Sequence, residues 1–225
     1  MLKVLDEILL SDNVVESFYN NYQKPEFKNW LISILPEIED CNITKQDNPW
    51  HIYNCLGHIL HSVEEINKQS TELEDNTRRI LAYTMFLHDI GKPECKIRRY
   101  SKLYKREVDS FFNHNIASVK IGKRTLKYLG FNDDEIDTIL ILVEKHDVFM
   151  NLTLEQTTNP YKKLITNNVL QDIIVELDEV NGKQLMEWLL LVGRADNLAQ
   201  NPQMTEQSLK MIDVIENMMQ DIYTK

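Results

Sequence analysis

Apolar residues crowd one stretch of the chain: from Ile80 to Leu87 almost every position is apolar. A helix there has no polar face to give to water, so it belongs in the middle of a bundle. On either side the pattern has the helical period. Val4 to Leu10 and Val14 to Tyr22 read as short amphipathic helices, and Glu26 to Leu35 carries Phe27, Trp30, Leu31 and Ile34 before Pro36 stops it. Asp40 to Pro49 is polar and irregular. His51 to Asn67 is helical, with Ile52, Cys55, Leu56, Ile59, Val63 and Ile66 as its stripe, and Thr71-x-x-Glu74 reads as a capping box before the central helix. Residues 92–110 form a long basic and polar connection. Helices follow at Ile116 to Leu129, closed by Gly130, and at Asp134 to Glu144, opened by a capping box at Asn132-x-x-Glu135. After a loop over 151–168 come Val169 to Leu177, Leu185 to Ala199 and Gln207 to Ile222. Strand signals are weak and nothing repeats. The pattern predicts an all-α, compact helical bundle.

With 225 residues and 43% hydrophobic content, one substantial core is affordable. The net charge of −10 argues against a general nucleic-acid coat, whose affinity rests on neutralising phosphates. Cys41, Cys55 and Cys95 are odd in number and form no C-x-x-C pair, so reduced thiols in a cytoplasmic protein are expected. The N-terminus is broken by Asp6 and Glu7 and reads as no signal peptide, and no apolar run approaches a membrane span.

The central apolar helix ends by setting His88 beside Asp89, followed at once by Gly91 and Pro93, both helix stoppers. Two such side chains at the end of a buried helix are costly to desolvate unless paired. A metal ion would satisfy both, since imidazole and carboxylate are its N and O ligands; a His–Asp hydrogen bond capping the helix is the alternative. Asp196 falls on the apolar face of its helix with Leu185, Leu189 and Val192. His58 sits among apolar neighbours and shares its face with His51 and His61. His114 precedes one helix, and His146-Asp147 ends another as His88-Asp89 ends the central one. Together His58, His88, Asp89 and Asp196, with His114 and His146 at helix ends, form a candidate metal site. His51 and His61 read as structural or supporting residues.

The order H…HD…D around Phe86-Leu87-His88-Asp89-Ile90-Gly91-Lys92-Pro93 resembles the HD superfamily of metal-dependent phosphohydrolases. Leu35-Pro36-Glu37, Asn48-Pro49-Trp50-His51-Ile52-Tyr53-Asn54 and Gly57-His58-Ile59-Leu60 resemble the opening of the HD domain of bacterial tRNA nucleotidyltransferases and poly(A)-polymerase-like proteins. Phe112-Asn113-His114-Asn115-Ile116-Ala117-Ser118, Val143-Glu144-Lys145-His146-Asp147 and Arg194-Ala195-Asp196 fit the later landmarks. The resemblance implies metal ligation by His58, His88, Asp89 and Asp196. It also divides the chain into an N-terminal helical extension (1–30), an HD domain (31–200) and a C-terminal helix on the same domain (201–225). Two departures stand out. The Gly-Ser stretch and paired carboxylates of a nucleotidyltransferase head are missing, so a stand-alone HD domain is expected. Ile59 follows His58 where a hydroxyl-bearing residue is often found.

Two imidazoles and two carboxylates without a thiolate favour a six-coordinate divalent ion, Mn, Fe, Co, Ni or Mg, with open positions for water and substrate. His114 and His146 are candidates for holding a second ion or, with one ion only, for contacting phosphate; His114 could then serve as general acid. Asp89 could accept the water's proton or bridge two ions. In the basic stretch Lys92, Lys96, Arg98, Arg99, Lys102, Lys105 and Arg106, Lys92 is tied close to the HD pair and is assigned to phosphate neutralisation. The expected activity is hydrolysis of a phosphomonoester or phosphodiester in a nucleotide or small phosphorylated metabolite, with Asp89, Lys92 and His114 in catalytic roles. The alternative is a non-catalytic module binding a nucleotide or an RNA end.

Overall fold

The computed structural model describes residues 1–178 and 180–223. They are mostly helical, with two small two-stranded sheets. Helices α1 (Leu2–Leu9), α2 (Val14–Tyr22) and α3 (Pro25–Ile34) form the expected N-terminal layer. Next comes α4 (Glu37–Ile43), whose second half lies in the segment from Asp40 that reads as irregular. Its acidic first turn, Glu37, Glu39 and Asp40, suits the positive end of a helix, and it buries only Ile38 and Cys41. So short an apolar stripe is hard to see in a sequence.

Helix α5 (Cys55–Gln69) starts four residues later than its periodicity suggests. Asn54 is its N-cap, accepting the Gly57 N–H at 2.7 Å, and this leaves His51, Ile52 and Tyr53 in a loop. Ile52 is exposed, so it is no part of the stripe, and His51 does not share the helical face of His58. The central helix α6 (Asp75–Leu87) buries every residue from Ile80 to Leu87. The capping box expected at Thr71-x-x-Glu74 does not form: Glu74 is the N-cap and makes no side-chain cap bond. The one at Asn132 and Glu135 does, at the head of α9.

Residues 92–111 are more ordered than a connection. They fold as a single turn, α7 (Lys92–Cys95), and an antiparallel hairpin of β1 (Lys96–Ser101) and β2 (Arg106–Phe111). The hairpin hides from a period-two search because β1 has no buried face. It is held by charge and main chain: the Asp109 carboxylate accepts from the Asp47 N–H (2.8 Å), Lys96 (2.9 Å) and Arg98 (3.1 Å). Then come α8 (His114–Leu129), α9 (Asp133–Lys145), a 3-10 turn (Val148–Asn151), and a two-residue parallel pairing of β3 (Leu152–Thr153) with β4 (Lys163–Leu164). Helices α10 (Asn167–Leu177), α11 (Gly182–Leu198) and α12 (Pro202–Tyr223) complete the order.

One continuous core runs from Leu5 to Met219, so the segments 1–30 and 201–223 pack on the same apolar interior as the rest; residues 224 and 225 of the expected C-terminal segment lie outside the described part. Polar ties fix the N-terminal layer as well. Asp6 accepts from Tyr83 (2.8 Å) and Arg79 (3.1 Å), and Asn67 donates to the Leu9 carbonyl at 2.8 Å. No helix among the described residues is long and apolar enough to cross a membrane. The three cysteines are free thiols, and buried Cys41 and Cys55 donate to the carbonyls of Ile90 and Asp89.

Candidate metal centre

Five helices each bring one piece to a common point. His58 comes from α5, the His88–Asp89 pair from the end of α6, His114 from the first residue of α8, His146 from the end of α9 and Asp196 from α11. All six residues suggested by the sequence meet. His58 Nε2 lies 3.1 Å from Asp89 Oδ2 and 3.0 Å from Asp196 Oδ1, and His88 Nε2 lies 3.2 and 3.6 Å from the same two oxygens. On the other side of Asp89, its Oδ1 lies 3.1 Å from His114 Nε2 and 3.8 Å from His146 Nε2. The Asp89 carboxylate therefore joins two clusters, one oxygen to each. Both trios, His58–His88–Asp89 and Asp89–His114–His146, bring ligand atoms close enough together to hold a metal ion.

Each imidazole is oriented by its far nitrogen. His88 donates Nδ1–H to Met85 O (2.7 Å), His146 to Val143 O (2.7 Å) and His114 to Phe111 O (2.8 Å). In each case a ring at a helix end turns back to the carbonyl three residues earlier. His58 reaches instead across to Ala199 O, at the end of α11, at 3.3 Å. A carbonyl can only accept, so the neutral rings carry their proton on Nδ1 and present the Nε2 lone pair to the centre. These lone pairs face one another: His58 and His88 Nε2 are 3.3 Å apart, and His114 and His146 Nε2 are 3.2 Å apart. Between them lie the buried Asp89 oxygens: Oδ1 has no hydrogen-bond donor among the described residues, and Oδ2 faces the Lys92 ammonium. Such an array of buried electron pairs is repulsive unless a positive charge sits among them. The donor set therefore fits a cation, of the kind that takes N and O ligands.

The electrostatics agree. Burial opposes charge on His88, yet the Asp89 and Asp196 carboxylates outweigh it and push the pKa up to about 10. Burial alone would raise Asp89 and Asp196, but the surrounding imidazoles, together with Lys92 in the case of Asp89, hold both well below the usual carboxylate range. His146 goes the other way, down to about 4, through burial and then the charges of His88 and His114.

Lys92 is buried, with Nζ 2.5 Å from Asp89 Oδ2, 3.0 Å from Gln46 Oε1 and 3.3 Å from His51 Nε2. Its charge thus faces Asp89. Lys96, Arg98 and Arg106 of the basic stretch are engaged with Asp47, Glu107 and Asp109, away from the centre. His61 stacks on Tyr53 with ring centroids 4.1 Å apart and pairs with Glu64 at 3.3 Å, apart from the cluster.

Gly91 acts through its size. Its φ of −83° needs no glycine, so it is not a left-handed helix stop. A Cβ there would stand 2.5 Å from Ala117 Cβ and 2.6 Å from His114 O, so only glycine lets the HD turn lie against the start of α8. Sequence reasoning missed Gln200, which donates to Asp196 Oδ1 at 3.1 Å, and Gln46. Gln200 follows Asp196 by one helical turn, a readable signal; Gln46 carries none.

A scan of family models finds no match to this chain, and a search of curated proteins finds no similar one.

Proposed function

We propose that this chain is a metal-dependent phosphohydrolase of the HD type, acting on a phosphomonoester or phosphodiester of a nucleotide or small phosphorylated metabolite. One observation carries the reading. Four imidazoles with their Nδ1 atoms tied to carbonyls aim their Nε2 atoms at a single shared, buried carboxylate. The motif order of the HD superfamily supports the phosphoester chemistry. His58, His88, Asp89 and Asp196 would hold one divalent ion, and Asp89, His114 and His146 a second. Bound there, divalent ions polarise a phosphoryl oxygen and lower the pKa of a water from ~15.7 toward ~7.

The chain's own residues do the rest. Asp89, held ionised by its neighbours, is a poor proton acceptor and a good bridging ligand. Lys92 offsets part of the negative charge on Asp89, so that carboxylate is less able to cancel the electrophilic pull on the phosphate. His114, with a side chain 13% exposed against 0% for His58 and His88, stands nearest to solvent and to an arriving substrate.

The test is turnover of bis-p-nitrophenyl phosphate, p-nitrophenyl phosphate and 2′,3′-cyclic AMP by protein loaded with Mn²⁺, Ni²⁺ or Mg²⁺. Hydrolysis that disappears in a folded Asp89→Ala variant is expected. A protein that binds these ions stoichiometrically, binds nucleotide and turns over none of the esters is a binding module instead.

A further inference from the structure

The Lys92 ammonium has three N–H bonds, and three acceptors surround it: Asp89 Oδ2, Gln46 Oε1 and His51 Nε2. An ammonium has no lone pair to offer, so His51 must accept through Nε2 and carry its ring proton on Nδ1. That N–H is buried and meets no partner among the described residues. The His51 ring lies edge-on to the His58 ring, with centroids 4.9 Å apart, so the ring that carries the idle donor borders the metal centre. In the same centre Asp89 Oδ1 is likewise buried with no hydrogen-bond donor among the described residues, and it suits a cation. By the same logic the Nδ1–H waits for an anion or an oxygen lone pair.

The loop that carries His51 is anchored for such a purpose. Asn201, between α11 and α12, donates its backbone N–H to Trp50 O at 2.8 Å and its side chain to Pro49 O at 2.9 Å. Asn48 accepts the Trp50 N–H at 3.0 Å. Because the Lys92 ammonium donates to Nε2, the ring holds a single proton, on Nδ1.

We propose that His51 is a further catalytic residue, whose Nδ1–H donates a hydrogen bond to a phosphoryl oxygen of the bound substrate, with Lys92 and Gln46 fixing the tautomer that allows it. The assignment rests on the phosphohydrolase reading. No proton changes hands: the imidazole stays neutral throughout and stabilises charge on the phosphoryl oxygen. Lys92, whose donors are spent inside the protein, is then a positioning residue that acts on phosphate through His51.

The experiment measures inorganic phosphate binding by calorimetry on full-length Mn²⁺-loaded protein, alongside metal content and ester turnover. The variants are His51→Ala, His51→Asn and His51→Gln. Asparagine places an amide N–H near the Nδ1 position, whereas glutamine reaches the Nε2 position. Metal content should hold in all three. Phosphate affinity and turnover should fall at least about tenfold in the Ala and Gln variants, the scale of a hydrogen bond to a charged group. The Asn variant should recover most of the loss. Wild-type phosphate affinity in His51→Ala, or loss of metal in all three variants, overturns the assignment and leaves the phosphohydrolase reading standing. A loaded wild-type protein that neither binds phosphate nor hydrolyses an ester takes down the phosphohydrolase reading itself.

Discussion

The two clusters that share Asp89 are built differently. His58, His88 and Asp196 belong to α5, α6 and α11, helices wrapped in the main core, and His58 is tied to α11 through Ala199 O. His114 and His146 sit at one end each of α8 and α9, and each is oriented only by its own local chain through Phe111 O and Val143 O. The first cluster is tertiary: His88 takes its ring orientation from Met85 O, as the other helix-end rings take theirs locally, but His58 and Asp196 reach it across the core. The second is local, and its distance from Asp89 depends on how α8 and α9 lean against the HD turn. A ligand set that is costly to perturb thus stands beside one that can be adjusted separately. Removing the shared carboxylate is the largest expected effect: Asp89→Ala should abolish ion binding on both sides and lower turnover by on the order of 10³-fold or more. Metal analysis of the purified variant checks it, and retention of either ion would show that the clusters do not depend on the bridge.

Variants confined to one side should separate them. His58→Ala or Asp196→Ala is expected to lose the ion of the tertiary cluster and the activity with it. His114→Ala or His146→Ala should lose one ion of two and keep the other, seen as a halved Mn²⁺ stoichiometry. Equal losses from both pairs would mean a single ion held by all.

The clusters also respond oppositely to pH in metal-stripped protein. His88 has its pKa raised to about 10, so the stability it contributes is complete below its unfolded value of 6.5 and fades as pH rises toward 10. His146 has its pKa lowered to about 4, so its contribution is complete above 6.5 and is lost as pH falls toward 4, to the extent of about 3 kcal/mol. Urea midpoints of chelator-treated protein should therefore peak near neutrality and drop on both sides. Added Mn²⁺ should flatten the curve between pH 6 and 9, because an ion then takes the place of the His88 proton. A metal-free midpoint that rises steadily from pH 5 to pH 9 contradicts the His88 arm.

Gly91 controls the seam between the clusters. Its N–H donates to Ser118 Oγ at 3.0 Å, and an added methyl would strike Ala117 and the His114 carbonyl. Gly91→Ala should push the start of α8 away, at a cost of about 1–3 kcal/mol in stability, and weaken the second ion while sparing the first. Calorimetric Mn²⁺ titration together with thermal melting reads both effects.

What the sequence made legible follows the same division between packing and local chemistry. The central helix and the amphipathic helices could be read because buried helices write a strong 3.6-residue period; His58 and Asp196 stood out as ionisable residues among its apolar positions, whereas His88–Asp89, His114 and His146 were read from their places at helix ends. His51 could be seen but was set on the wrong element: the apolar run through Ile52 continued a helical period that Asn54 in fact interrupts. The hairpin over 96–111 was illegible because charge pairs, with hardly any buried apolar face, hold it together. The resemblance named the residues of the tertiary cluster and left a bridging Asp89 open, whereas the facing of one Asp89 oxygen to each cluster is a fact of three dimensions. So is the exhaustion of Lys92, whose partners Gln46 and His51 lie more than 40 positions away in the chain.

Gln200 supplies the smallest effect and the sharpest probe of how the tertiary cluster is tuned. Its side-chain amide donates to the Asp196 oxygen that faces His58, so it orients that carboxylate and takes up one lone pair. Removing such a supporting bond typically lowers metal affinity by about tenfold and leaves the ligands in place. Gln200→Ala should do this at the first ion alone, because no bond from Gln200 reaches Asp89, His114 or His146. Gln200→Glu should bind the first ion much as wild type does below the pH at which the new carboxyl ionises and depart from it above that pH. Protonated, it can still donate to Asp196; ionised, it repels Asp196 but adds negative charge near the cation. A Mn²⁺ titration of the two variants across pH 5 to 8 therefore distinguishes orientation from charge. If both variants bind both ions as wild type does at every pH, Asp196 is held by packing on α11 alone, and the tertiary cluster owes nothing to its hydrogen-bonded surroundings.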